Sequence, residues 1–260
     1  MKRRQFLNAA TAMAAGGSIF AANAEAQISS GDAAETIGPV RPEPFGFEDV
    51  AAIAADRASR IYQQPISQLV GSFADLDYDH YRAIRFRRDR DPLGPDGDFG
   101  VDLLSPGMIF YEPVQINIVR NGIAHHLPFD PSMLEFDPSH FPDGADLETV
   151  GNMGWSGFRV RTVLNRPNVM DEFLVFQGAS YFRAVARDTL YGLSARGLAI
   201  KTGSSDGEEF PLFTDFWIHQ PQPGDDTVRI HAVLDSRSVS GAYQFDIHPG
   251  SVTMVQTRLA

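Results

Sequence analysis

From residue 84 onwards, apolar residues alternate with polar ones in short runs that clusters of turn-forming residues separate. A period of two places successive side chains on opposite faces of a strand, so these runs predict β-strands with one buried face. The strongest local signal is Asn121-Gly122, because this dipeptide favours the two-residue turn of a β-hairpin. About ten strands are predicted, at residues 109–119, 123–129, 157–163, 173–176, 181–185, 193–200, 213–218, 228–234, 242–247 and 252–259.

The fold class that this pattern predicts is all-β. Short strands between turn clusters are typical of a large β-sandwich, and the 23 Gly and 17 Pro agree with a turn-rich chain. One or two short N-terminal helices precede the strands: apolar residues at helical spacing predict the first over residues 47–62, before Pro65, and the second covers residues 75–81. The chain has no Cys, which excludes disulfides, Cys-ligated metals and Cys nucleophiles.

The N-terminal residues predict export from the cytoplasm. Arg3 and Arg4 are followed by Gln-Phe-Leu, then by a weakly apolar stretch and an Ala-x-Ala cleavage site before Gln27. Residues 1–26 are therefore predicted to be a twin-arginine signal peptide, and the small, Pro-rich residues 27–44 a flexible tether. This signal implies a periplasmic destination and makes the twin-arginine export machinery a partner of the precursor.

Charge and local motifs exclude several classes of function. The net charge of −11 argues against nucleic acid and anionic membranes as partners. No apolar run is long enough to cross a bilayer, so no stable membrane anchor is expected. The seven His have no recognised ligand spacing, and nucleophile elbows, phosphate loops and H-E-x-x-H motifs are absent. The sequence therefore predicts no metal and no cofactor.

Aromatic residues and Arg are concentrated in one segment, which suggests a carbohydrate site. Sugars stack on aromatic rings while Arg and carboxylates hydrogen-bond their hydroxyls, as small-ligand sites combine apolar walls with a few polar groups. Aromatic residues can equally line a sandwich core. The core is favoured for Phe182, Phe213 and Phe216, and both interpretations stay open for Tyr191 and Trp217. The predicted substrate-binding residues are Tyr181, Arg183, Tyr191, Arg196, Glu208 and Trp217.

A series of short motifs, in order along the chain, carries a family resemblance. They are G-F-R-V at 157–160, F-Q-G-A-S-Y-F-R-A at 176–184, Y-G-L-S-A-R-G-L-A-I at 191–200, E-E-F-P at 208–211, F-W at 216–217, L-D-S at 234–236 and S-G-A-Y-Q-F at 240–245. From about residue 45 to the end, the chain resembles the periplasmic glucan biosynthesis proteins G and D. Its twin-arginine start is closer to the D branch.

The resemblance implies a role in making osmoregulated periplasmic glucans, whose backbone is β-1,2-linked glucose. It implies a sandwich similar to galactose mutarotase with a cleft for the glucan, followed by a smaller immunoglobulin-like domain. Some members cleave β-1,2-glucan with inversion using two acidic residues, which the resemblance places beyond residue 260. We therefore assign no catalytic residue, and residues 45–260 are expected to be an incomplete, N-terminal part of the sandwich domain.

Three functional interpretations stay open from the sequence. The first is a periplasmic protein of glucan biosynthesis that binds the β-glucan and, when complete, processes it. The second is a stand-alone carbohydrate-binding module without catalysis. The third is a truncated, non-functional remnant. Whether the chain is an enzyme is left undecided.

Overall fold

The computed structural model describes residues 44–95, 97–147 and 150–260, which form two α-helices and thirteen β-strands. The predicted signal peptide, with Arg3 and Arg4, lies outside the described residues, as do residues 27–43 of the predicted tether. The helices are α1 (Phe47–Ser59) and α2 (Tyr78–Arg82). The strands are β1 (Ile84–Phe86), β2 (Phe99–Leu104), β3 (Gln115–Arg120), β4 (Ile123–Leu127), β5 (Leu134–Phe136), β6 (Gly157–Val163), β7 (Met170–Gln177), β8 (Tyr181–Ala184), β9 (Ala195–Arg196), β10 (Leu212–His219), β11 (Val228–Asp235), β12 (Ser240–His248) and β13 (Met254–Leu259).

The strands form two large sheets and a small one. The six-stranded sheet has the order β13-β12-β11-β10-β3-β4, and the five-stranded sheet has the order β2-β6-β7-β8-β9. Strands β1 and β5 pair as a separate two-stranded sheet. Neighbouring strands are antiparallel except β10 and β3, which run parallel and so join the early hairpin to strands from the end of the chain.

An aromatic core fills the space between the two large sheets. Phe176 of the five-stranded sheet contacts Phe213, Phe216 and Phe245 of the six-stranded sheet, with ring centroids 6.0, 5.3 and 5.3 Å apart. Phe182 stacks on Phe176 at 5.0 Å. Such ring pairs add to the free energy gained by removing apolar area from water. The core interpretation of Phe182, Phe213 and Phe216 is therefore confirmed.

Helix α1 covers the outer face of the six-stranded sheet. Phe47, Val50 and Ala54 recur at helical spacing and pack against Val119, Trp217, Val233 and Ala242 of the sheet below. At the far end of the helix, Arg57 Nη2 lies 2.8 Å from Asp215 Oδ2. The six-stranded sheet is thus covered on both faces along α1.

The structure confirms the all-β prediction and the predicted hairpin. Arg120 pairs with Ile123 across a turn in which Asn121 and Gly122 have φ values of 51° and 76°. These positive values are those of a type I′ turn, which suits the twist of the flanking strands. Similarity to galactose mutarotase stays a prediction.

Several predicted boundaries were wrong. The first helix ends at Ser59 rather than near Tyr62. The second helix covers Tyr78–Arg82 rather than residues 75–81, because the Asp77 side chain caps its N-terminus by accepting a hydrogen bond from His80 N, 2.9 Å away. The strand predicted over residues 109–119 starts only at Gln115, after Pro113, which lacks a backbone N–H. Of residues 193–200, only Ala195–Arg196 pair as a strand. Strands β1, β2 and β5 were not predicted.

Within the described ranges, neither helix is long and apolar enough to cross a bilayer.

Candidate functional site

The outer face of the five-stranded sheet carries most of the predicted site residues. Phe182 points into the core, so its neighbours Tyr181 and Arg183 point outwards by the alternation of a strand. Arg196 of β9 pairs with Tyr181 and shares its face. With Phe182 in the core, the alternation of β8 determines which of its side chains face outwards.

A hollow of about 520 Å³ lies on this face. Val175 and Gln177 of β7 form part of its floor, and Tyr181 and Arg183 line one side together with Ser194. The opposite side is apolar and comes from Ile109 and Phe110 in the loop after β2. A volume in the range of ligand pockets, with an apolar wall facing a few polar groups, suits a small ligand such as one or two sugar rings.

Arg183 and Gln177 are held in place by hydrogen bonds. Arg183 Nε donates to Ser194 Oγ at 2.7 Å, which leaves the rest of the exposed guanidinium open to a ligand. Gln177 Nε2 donates to Tyr81 OH at 2.7 Å and to Ser156 Oγ at 2.8 Å. With its amide nitrogen occupied in this way, Gln177 presents its side-chain oxygen as an acceptor.

Tyr191 belongs to a polar chain farther along the same sheet. Its hydroxyl donates to Glu172 Oε1 at 2.8 Å, and Glu172 Oε2 lies 3.2 Å from Arg159 Nε. Burial, followed by the hydrogen bond to Glu172, raises the pKa of Tyr191 well above its usual value. The phenol therefore stays protonated and acts as a donor, while 37% of the residue is exposed to solvent.

Arg196 and Glu208 form an ion pair beside the hollow. The Arg196 guanidinium lies over the rings of Tyr181 and Phe210, at 5.6 and 4.9 Å from their centroids. The hydrogen bond from Arg196 holds the pKa of Glu208 below its usual range. Among the described residues, Arg196 Nε is buried and has no hydrogen-bond partner, which leaves one donor of this cluster unsatisfied.

Trp217 lies apart from the other five candidates. It is only 6% exposed, under α1 on the opposite sheet, where its ring stacks on Phe45 with centroids 5.3 Å apart. A sugar ring has no open face to stack on there, and the packing favours the core alternative that the sequence left open. The structure therefore brings together Tyr181, Arg183, Tyr191, Arg196 and Glu208, and separates Trp217 from them.

Sequence reasoning missed several polar residues on this face. Arg159 and Glu172 are charged residues inside strands, at outward positions of β6 and β7, and each contacts a partner on the same face. Their alternation with the buried Phe158 and Phe173 was a signal that could have identified them. Phe110 carried no such signal, because it fell inside the strand that was wrongly predicted to begin at residue 109.

The described residues contain no group of three or more His, Asp or Glu side chains arranged to hold a metal ion.

Comparison with known proteins places the chain in a family. The family model described as "Periplasmic glucan biosynthesis protein, MdoG" matches residues 45–260. A relative from Rhodopseudomonas palustris (strain BisA53), named "Glucans biosynthesis protein G", is 43% identical over 263 residues, which cover 100% of this chain and 49% of the relative.

Two further relatives carry the same name. The protein from Ralstonia nicotianae is 41% identical over 219 residues, which cover 82% of this chain and 42% of the relative. The protein from Vibrio cholerae (strain N16961) is 42% identical over 213 residues, which cover 80% and 38% respectively. The chain thus spans half or less of the length of these relatives. Because the family model matches nearly all of the described residues, the chain belongs to the family of periplasmic glucan biosynthesis proteins described as MdoG.

Proposed function

We propose that this chain serves periplasmic glucan biosynthesis by binding the β-1,2-linked glucan on the outer face of its five-stranded sheet. The observation that carries the proposal is the hollow of about 520 Å³ between Tyr181, Arg183 and the apolar Ile109–Phe110 wall. Glucose rings have apolar C–H faces and equatorial hydroxyls, which need such a combination of surfaces. The name of the family supports this role over a stand-alone binding module or a non-functional remnant.

The polar groups along the face suit a polymer rather than a single sugar. Beyond the hollow, the outward row continues through Arg159, which pairs across the strands with Val175 of the floor. The Tyr191 hydroxyl donates a hydrogen bond to Glu172, and Glu172 contacts Arg159 of this row. A chain of glucose units could therefore contact the Arg183 side of the hollow and the Arg159 side in succession.

Calorimetric titration with linear β-1,2-gluco-oligosaccharides tests the proposal. We expect saturable binding that Arg183→Ala weakens about tenfold, the loss of one hydrogen bond from a charged donor. The matched control is Arg166→Ala, which removes an exposed arginine in the β6–β7 turn and should change the affinity less than about twofold. Trp217→Phe should leave the affinity unchanged in a folded chain, because Trp217 is buried under α1.

Three results would contradict the proposal or a part of it. A chain that unfolds cooperatively, and is therefore folded, but gives no heat with the oligosaccharides does not bind this glucan. Equal affinities for wild type and Arg183→Ala would move the site away from the hollow. Oligosaccharides with β-1,3 linkages serve as the specificity control, and equal binding of both linkages would remove the β-1,2 assignment.

We further propose export by the twin-arginine pathway and kinship with the D branch. The support is the Arg3-Arg4 pair followed by Gln-Phe-Leu. Fractionation of cells that express the chain with Arg3→Lys and Arg4→Lys tests export. We expect the double variant to stay in the cytoplasm while the parent reaches the periplasm, and equal periplasmic amounts would refute the pathway.

A further inference from the structure

A second hollow, of about 560 Å³, lies beside the first on the side of β2. Its lining contains four arginines against two carboxylates, and it reverses the charge balance of a chain with 33 acidic and 22 basic residues. The arginines are Arg82, Arg85, Arg88 and Arg159, and the carboxylates are Asp102 and Glu135.

Three of the four arginines come from one short segment, residues 82–88, and the fold brings Arg159 of β6 beside it. Arg82 is the last residue of α2, and Arg85 is the central residue of β1. Arg88 begins the short 3-10 turn after β1, and Arg159 lies in β6. A basic run on one solvated helix would not enclose a cavity in this way.

Three of these arginines have no carboxylate partner in the part of the chain that the structure describes. Among the described residues, no carboxylate oxygen lies within 4.0 Å of the guanidinium nitrogens of Arg82, Arg85 or Arg88. By contrast, Arg159 is held by Glu172 through Nε at 3.2 Å. Like charges gathered with fewer counter-charges repel one another, so a bound anion would relieve this repulsion.

The two carboxylates in the lining compensate this charge only in part. Asp102 Oδ1 already accepts a hydrogen bond from the buried Arg161 Nε at 2.7 Å, so Arg161, which does not line the hollow, compensates the charge of Asp102. Glu135 pairs in register with Arg85 across the small sheet, outside salt-bridge distance. The hollow thus retains an excess of unpaired arginine.

We propose that this hollow binds a phosphoryl group, as carried by a sugar phosphate. Arginine forks match the oxygens of phosphate with paired N–H donors, and three unpaired forks from separate elements suit a tetrahedral dianion better than a planar carboxylate. Arg159 lines this hollow and pairs with Val175 on the floor of the first one, so a ligand with both a sugar ring and a phosphate could contact both. The hollow shares Arg159 with the face proposed to bind neutral glucan, whereas Arg88 lines this hollow and not the first one.

Calorimetric titrations of the full chain at low ionic strength test the proposal, with inorganic phosphate, glucose 6-phosphate and glucuronate as probes. We expect saturable binding of the two phosphates, weaker binding of glucuronate, and loss of affinity as salt is added. Arg88→Gln should weaken the binding of phosphate about tenfold, because it removes one charge-assisted contact. The matched control is Arg90→Gln, two residues away in the same turn but outside the lining, which should change the affinity less than about twofold.

Three results would overturn the proposal. The first is no saturable binding of either phosphate by a folded chain. The second is glucuronate binding as tightly as glucose 6-phosphate, which would remove the phosphoryl assignment. The third is an equal loss in Arg88→Gln and Arg90→Gln, which would indicate a diffuse charge effect rather than a site. A chain that binds phosphate but no neutral glucan would refute only the proposed function above.

Discussion

Replacing Arg161 by Gln should destabilise the sandwich strongly, and more at pH 7 than at pH 5. The Arg161 side chain is 5% exposed and bridges two buried carboxylates under the outer face of the five-stranded sheet. Its Nη2 lies 2.8 Å from Asp91 Oδ2, and its Nε lies 2.7 Å from Asp102 Oδ1. Asp91 also accepts from the backbone N–H groups of Leu93 and Val101, at 2.9 and 3.1 Å.

The magnitude follows from the two charges that the substitution leaves behind. Removing one partner of a buried ion pair costs about 3–5 kcal/mol, because the remaining charge is neither solvated nor compensated. Here both Asp91 and Asp102 lose their cation, so we expect the upper part of that range at pH 7, about 4–5 kcal/mol. Glutamine carries no charge, so its amide donors cannot replace the lost cation for either carboxylate.

The pH dependence follows from the protonation of Asp91. Burial already raises the pKa of this carboxyl in the folded protein, and the charge of Arg161 opposes that rise. In the variant the opposing charge is gone, so the folded pKa rises further above the unfolded value. The folded state then binds protons more readily than the unfolded state, and stability is lost as pH rises through the raised pKa. The variant should therefore lose less stability at pH 5 than at pH 7.

Urea unfolding followed by circular dichroism at both pH values measures these losses. Arg166→Gln, an exposed arginine in the β6–β7 turn, is the matched control and should stay within about 0.5 kcal/mol of wild type. A loss below about 1 kcal/mol for Arg161→Gln at pH 7 would show that water reaches the carboxylates. A loss that does not depend on pH would refute the role of Asp91 protonation.

Two further predictions concern the six-stranded sheet. His219 Nε2 lies 3.0 Å from Nδ1 of His231, and burial followed by this neighbour lowers the pKa of His219 to about 4. As pH falls, the unfolded state therefore binds the proton before the folded state does. The unfolding free energy should fall by about 1 kcal/mol between pH 7 and pH 5, a value that allows for solvent screening of the part-buried ring. An equal fall in the His219→Gln variant would refute this prediction. Gly122→Ala should cost about 1–2 kcal/mol in urea unfolding, because φ is 76° and the added Cβ would lie 2.8 Å from Pro44 Cβ. An unchanged midpoint would show that the turn adapts.

The local sequence pattern was sufficient to predict which side chains of β8 face the candidate site. Alternation in Tyr181-Phe182-Arg183 determines that one ring enters the core while its two neighbours face outwards. The same local logic predicted the Asn121-Gly122 hairpin and the amphipathic face of α1, because a turn type and a helical stripe depend only on neighbouring residues.

Strand β10 shows where prediction from the local pattern fails. Its residues are buried on both faces, since the core lies on one side and α1 on the other. A strand covered on both faces has no polar side, so its sequence could not tell whether Trp217 faces a ligand or the helix. The register shift between Phe213 and Asp215 makes a count along the strand unreliable as well.

The sequence by itself determined the strand-rich class, the hairpin, the first helix and the family motifs, all of which depend on residues close together in the chain. Only the tertiary structure decided that Tyr191 donates to Glu172, that Arg196 lies over Phe210, and that Arg159 of β6 joins the arginines of residues 82–88 in one hollow. Those contacts join separate elements. They depend on strand order and on the packing of loops against a sheet, which no short-range pattern encodes.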